Sequence, residues 1–234
     1  SHDKAKYYKL SLSDSGKNLA FIVDTDSTKS YQKSNELYNW SFPNQKAKLI
    51  VNKTTSPEGY GVSSDGTLNF SNDESKLYFG LALPKIVQDT LLIEEEIVNV
   101  EVWTYNEPRL YTIQEKQLNN DKKKSFKTVY HLKKDKLVQI ASKEVPDAIL
   151  TEDGDENYAL ISRIEPYQLS SQWTAQFPKN DLAIININDG VKKLAIKGNP
   201  SSASLSPFGK YAFGYNQVDS CLLYTSDAAD EDLR

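Results

Sequence analysis

The chain has no methionine, a single cysteine and only two histidines among its 234 residues. With Cys221 alone, a disulfide framework within the chain and a cysteine-based zinc site are both excluded. His2 stands at the start and His131 inside an aromatic, β-branched run. No G-x-S-x-G elbow occurs anywhere, so a serine nucleophile has neither its strand-to-helix turn nor a base within reach. The catalytic residues assigned are therefore none, and the chain by itself is expected not to be catalytic. No window contains the ~18 uninterrupted apolar residues of a spanning helix. The opening "SHDKAKYYKL" has no apolar core of a signal peptide. Without a methionine, the first residue reads as a cut edge. Helical periodicity is almost absent.

What is present is aromatic and apolar substance for a sizeable core: 14 Tyr, 8 Phe and 3 Trp, with 38% of residues apolar and 26% charged. The net charge of −4 is owed mostly to the last eight residues, where Asp227, Asp230, Glu231 and Asp232 face only Arg234. The rest is about neutral, which argues for no nucleic-acid partner. Residues 221–231, "CLLYTSDAADE", differ in texture and resemble a translated sequencing adaptor. The expected division is a propeller region over 1–220 and a non-native tail over 221–234.

One short phrase recurs four times: "LSDSGKNLAF" (12–21), "FSNDESKLYF" (70–79), "LTEDGDENYAL" (150–160) and "LSPFGKYAF" (205–213). Each runs from an apolar residue through Ser or Thr into an Asp- or Pro-bearing turn, then Gly or Ser, then an aromatic-rich strand. That is hairpin chemistry: the turn residues supply the reversal and the strand that follows packs inward. The longest interval, between the second and third copies, holds the lysine-rich "QLNNDKKKSFK" (117–127). Further strands are expected at 46–52, 97–105, 127–132, 136–141 and 181–188, and "DLAIININDGVKKLAIKG" (181–198) is a hairpin turning at Asp189-Gly190. A repeated four-stranded unit with one constant hairpin is the sign of a β-propeller blade, typically ~40–50 residues long. The predicted fold is all-β: a partial propeller of about four antiparallel blades, TolB-like or WD-type, from a seven- or eight-bladed ring.

From "VNVEVWTYNEPRLYTIQEKQL" (98–118) the sequence resembles the propeller of bacterial serine peptidases of the prolyl oligopeptidase and dipeptidyl peptidase superfamily. The resemblance lies in a strand ending in "VWxYxEP", followed by "LYxxQ". "SFKTVYHLKKDKLVQIASKEVPDAILTEDGDENYAL" (125–160), "YQLSSQW" (167–173) and "GNPSSASLSPFGKYAFGY" (198–215) continue it. It spans about 7–219, and before 98 it would suit any TolB-like or WD-type propeller. It implies an exported protein, periplasmic or secreted. In it the propeller gates access of short peptides to a covalently linked α/β-hydrolase domain, absent here, and no cofactor is needed. The alternative is a stand-alone TolB-like propeller acting as a periplasmic binding scaffold.

Individual side chains are read against that background. Glu94, Glu95 and Glu96 in "IEEEI" match an ammonium anchor only loosely and read as a solvated turn. "DTDSTKSYQKSNE" (24–36) begins like a calcium loop at Asp24 and Asp26, but Lys29 stands where Gly is required and Asn35 where Glu is. "EDGDE" (152–156) coincides with a repeat turn. No metal site is therefore assigned, and the substrate-binding residues are left unassigned. Arg109 and Arg163 read as surface salt-bridge partners, with contact to peptide carboxylates in a channel as the lesser reading. His131 reads as structural, and Trp103 and Trp173 as blade packing, with aromatic recognition as the lesser reading. The four lysines of "DKKKSFK" (121–127) read as a solvated loop, and Asn39, Asn52 and Asn69 begin N-x-[ST] sequons. An open arc of blades is expected to aggregate or to unfold with little cooperativity.

Overall fold

A computed structural model describes residues 5–25, 33–85, 104–174, 178–200 and 202–224. Its strands form four antiparallel sheets in chain order. The first comprises β1 (Lys6–Leu12), β2 (Asn18–Asp24), β3 (Asn35–Ser41) and β4 (Lys48–Val51). The second holds β5 (Gly61–Val62) and β6 (Asn69–Phe70), both paired to β7 (Lys76–Ala82), then β8 (Phe126–His131) and β9 (Lys136–Gln139). The third is β10 (Asp147–Ile149), β11 (Tyr158–Arg163), β12 (Asn180–Asn186) and β13 (Lys192–Asn199). β14 (Ala203–Leu205), β15 (Ala212–Asn216) and β16 (Cys221–Tyr224) make the fourth. Residues 221–224, distinct in sequence texture, thus pair with β15 as an edge strand. The fold is all-β, four propeller blades in series.

Side-chain alternation explains why the blades stack in that order. On β7, Leu77, Phe79 and Leu81 point to the first sheet and join Ala20, Ile22, Leu37 and Val51. Tyr78, on the opposite face, joins Val129, Val138 and Ile140 against Ala159, Ile161, Ile185 and Ile187 of the third sheet. One residue further along each strand, Leu160, Leu182 and Ile184 turn to Ala212 of the fourth. A middle blade buries both faces, so its central strand reads "KLYFGLA", apolar almost throughout. The outer blades bury one face and alternate: β15 runs buried, exposed, intermediate, exposed, intermediate.

The recurring phrase is the turn between first and second strands of every blade, and these turns touch in a row. Backbone bonds close each loop alike, as in Gly16 N–H to Ser13 O and Gly209 N–H to Ser206 O. Gly16, Gly154 and Gly209 supply a positive φ at equivalent positions, and the second turn has Glu74 there, at φ 55°. A glutamate in the left-handed region is unusual; here its carboxylate reaches back to the first turn. It accepts from Ser15 N–H at 2.6 Å, Ser15 Oγ at 2.8 Å and Asn18 Nδ2 at 3.0 Å. These bonds, led by that from the Ser15 amide, hold the Glu74 carboxyl below its usual range. The second turn docks on the third through Asn72 N–H to Asp153 O and Asp73 N–H to Asp155 Oδ1. We predict that Glu74→Ala lowers the melting temperature by a few degrees, because it keeps the strained φ and loses the bonds. Glu74→Gly, free of the strain, lowers it less. Thermal scans of the two variants that came out in the reverse order would refute this account.

Acid should loosen the same blades in two stages. His131 is 4% exposed on β8 and its Nε2–H donates to Ile187 O at 2.8 Å, tying the second sheet to the third. Burial pushes its pKa below the ordinary value, with Lys134, Lys76 and Lys136 adding to the effect and the Ile187 bond opposing it. Neutral His131 is therefore favoured in the fold, and its contribution is present above the unfolded value of about 6.5 and fades as pH falls below it. Asp73 behaves likewise lower down. Burial raises its pKa, but bonds from Ser71 and Ser75 and the nearby Lys76 outweigh this and hold it at about 2. Its contribution is lost between about 3.8 and 2. Denaturation midpoints measured against pH should fall below about 6.5 in the natural chain. That step should be absent from His131→Gln.

Candidate functional site

In an up-and-down antiparallel blade, the first-to-second and third-to-fourth turns share one end. The second-to-third connections share the other, and that end carries the insertions. Two of them contain helices that show no apolar periodicity in the sequence: α1 (Tyr111–Lys122) between β7 and β8, and α2 (Glu165–Trp173) between β11 and β12. Both add to the all-β blades elements that the near absence of helical periodicity did not reveal. Neither buries a single residue, so neither needs the apolar stripe by which helices are read from sequence. No helix of the described residues is long and apolar enough to cross a membrane.

Helix α1 is rich in good helix formers and is held from the chain before it. Arg109 donates to Gln117 Oε1 at 2.8 Å and pairs with Asp121 at 2.7 Å, while Gln114 Nε2 reaches back to Arg109 O at 2.7 Å. The guanidinium in turn holds the Asp121 carboxyl below its ordinary range. Helix α2 begins with Glu165 and a proline in its first turn, both favourable there. Its Tyr167 donates to Asp181 on β12 at 2.6 Å. The two insertions meet where Gln172 Nε2 donates to Glu107 O at 3.2 Å and also to Pro108 O. Between them lies an open pocket lined by Thr104, Tyr105, Glu107, Leu110, Tyr111, Gln114, Gln172 and Trp173. Tyr105 is 78% and Trp173 67% exposed, so both rings are offered to solvent. Trp173 therefore does not pack a blade, contrary to the expectation from its sequence.

The other singled-out residues fall elsewhere. Arg163 pairs with Glu165 at 2.7 Å and Arg109 with Asp121, both at the surface. Asp24 is buried and bound to Lys33 Nζ at 2.6 Å. Gly154 of "EDGDE" occupies the tight turn of the third blade, with Asp155 spent on Asp73 N–H. Asn39 is buried and bonded to Ser41 Oγ, whereas Asn69 is exposed on β6. His2, Asp26, Lys29, Glu94, Glu95, Glu96 and Trp103 lie outside the described residues. The pocket was illegible in advance because its walls come from residues 104–114 and 172–173, with a whole blade's worth of chain between them.

No protein-family model matches this chain, and no curated protein matches it. Among solved structures it is similar to TolB from Acinetobacter baumannii, with 13% identity and a TM-score of 0.32 over 93% of this chain and 40% of that one. The β-propeller domain of the Trilobed protease from Pyrococcus furiosus is 12% identical, with a TM-score of 0.39, over 99% of this chain and 57% of that one. Pyrococcus horikoshii acylaminoacyl peptidase is 11% identical, TM-score 0.41, over 98% of this chain and 32% of that one. The chain thus spans less than two thirds of the length of each. At these identities and TM-scores the likeness assigns the chain no activity.

Proposed function

We propose that these blades form the substrate-filtering propeller of a serine peptidase of the prolyl oligopeptidase type. Hydrolysis would be carried by an α/β-hydrolase domain encoded beside them. The observation that carries the reading is the clustering of both helical insertions at one end of the blades, joined through Gln172 to the Glu107-Pro108 backbone. The resemblance of residues 98–215 to such propellers supports it. The contribution of the blades would be steric: an end built up by insertions narrows the approach, and a folded protein cannot enter where a flexible peptide can. The test is to read the coding sequence on both sides of this chain and assay its full product. A G-x-S-x-G frame whose product cleaves a short peptide, but not the same peptide within a folded protein, supports the filter. Loss of that discrimination on shortening residues 104–124 would place it in the insertion. A coding frame without a hydrolase would sink the reading.

The second reading is a binding scaffold of the TolB type with no enzyme attached. Two open aromatic surfaces favour it: the pocket just described, and the outward face of the fourth sheet, where Phe213, Tyr215, Leu222 and Tyr224 are all exposed. Such surfaces suit partner contact better than a closed channel.

A further inference from the structure

We infer that the pocket between α1 and α2 is a binding site for a bulky, weakly hydrated organic cation, of the quaternary ammonium class. Three aromatic side chains line it, Tyr105, Tyr111 and Trp173. Aromatic faces carry negative charge density, and a cation held over them is attracted without needing hydrogen-bond acceptors. The one formally charged residue in the lining is Glu107, whose carboxylate makes no ion pair among the described residues. Arg109, beside the lining in the chain, is spent on Asp121 and Gln117 along the helix. Helix α2 ends at the pocket with no basic residue in its last turn, so its carbonyl end adds negative potential there. The first turn of α1 is opposite in sign, but a partial charge at a helix start is smaller than the full charge of Glu107.

The same geometry argues against a primary ammonium. Such a group is strongly hydrated and must recover its bonds from acceptors on entering a site. Here the carbonyls of Glu107 and Pro108 each accept already from the Gln172 amide, which leaves the Glu107 carboxylate as the one charged acceptor in the lining for three N–H donors. A quaternary nitrogen has no N–H to satisfy, and the solvent-open aromatic walls of Tyr105 and Trp173 can receive its methyl shell. This inference stands apart from the peptidase reading, and neither outcome of its test bears on the coding-sequence experiment.

The probe is choline, titrated into the full chain at constant ionic strength and followed by tryptophan fluorescence. Two controls accompany it: ethanolamine, and the neutral carbon isostere of choline in which a tert-butyl group replaces the trimethylammonium. Choline is expected to bind about tenfold more tightly than the isostere. Trp173→Leu should abolish the fluorescence change. Glu107→Gln, a surface change that preserves shape, should weaken choline about threefold or more while leaving the isostere unaffected. Ethanolamine should be weaker than choline. Equal binding of choline and isostere would show a merely apolar pocket and overturn the inference. So would a choline response no larger than that to sodium chloride, or one that persists unchanged in Glu107→Gln and Trp173→Leu, each verified as folded by circular dichroism.

Discussion

Tyr78→Ala is expected to cost about 3–5 kcal/mol of stability, and Tyr78→Phe about 1–3 kcal/mol. For a chain of this size the alanine change corresponds to a fall in melting temperature on the order of 10 °C. Tyr78 sits at the middle of β7, 1% exposed, in the seam between the second and third blades. Alanine there removes the ring from a cluster that rigid strands on both sides cannot collapse to fill. Its hydroxyl donates to Gly154 O at 2.6 Å, so the same side chain also fixes the turn of the next blade. Burial pushes the phenol pKa upward, which keeps it a donor at every accessible pH. The fit is close from the other side as well. Gly154 has φ 68°, and a Cβ added to it would lie 2.9 Å from Tyr78 Cε2. Gly154→Ala should therefore be destabilising through both strain and collision, and less so in a Tyr78→Ala background where the collision is gone. Urea unfolding of the four chains gives the coupling directly. Additive effects would mean that ring and turn are independent, and a Tyr78→Phe chain as stable as the natural one would mean that the Gly154 carbonyl finds water instead.

How much of this could be read in the sequence depends on what each feature needed from its residues. The four turns were legible because a reversal requires particular chemistry: Ser13, Ser71, Thr151 and Ser206 each anchor a backbone loop that only a few side chains can support. Strands β8, β9 and β12 were legible because burial on at least one face forces alternation or an apolar run. β1 and β3 were not, since "KYYKLSL" and "NELYNWS" mix exposed and half-buried positions and carry little pattern. Both helices were missed for the same reason: with no buried face, the sequence over 111–122 is under no pressure to be periodic. Glu74 could have been found. Alignment of the four phrases puts it where three glycines or their equivalents belong, and a long acid at a left-handed position asks for a partner. The pocket could not, because proximity of Glu107 to Trp173 is a property of two insertions meeting in space. Their sequence separation contains nothing that announces it.

The second large effect expected is in solution behaviour. The chain should self-associate with increasing concentration, and the association should be abolished by changes to one sheet face. On β15 and β16, Phe213 lies opposite Tyr224 and Tyr215 opposite Leu222, all four on the outward face of the fourth sheet. They are 48%, 58%, 47% and 72% exposed in that order. Cross-strand pairs of this kind make a flat, contiguous apolar surface, which in a soluble protein is a contact site or an aggregation site. The outward face of the first sheet is better protected, because Tyr7, Phe21 and Tyr38 pack on one another, Phe21 and Tyr38 stacked at 5.6 Å. Phe213→Thr with Leu222→Lys keeps strand-compatible side chains, breaks the apolar surface and places a charge at its centre. Sedimentation velocity over a concentration series, under reducing conditions so that the exposed Cys221 cannot cross-link copies, separates the outcomes. The natural chain should show growing species and the double variant a single monomer with an unchanged melting temperature. A monomeric natural chain at every concentration would show that this face is tolerated in water. Equal association of both proteins would move the contact elsewhere, and the first sheet's aromatic face would be the next to alter.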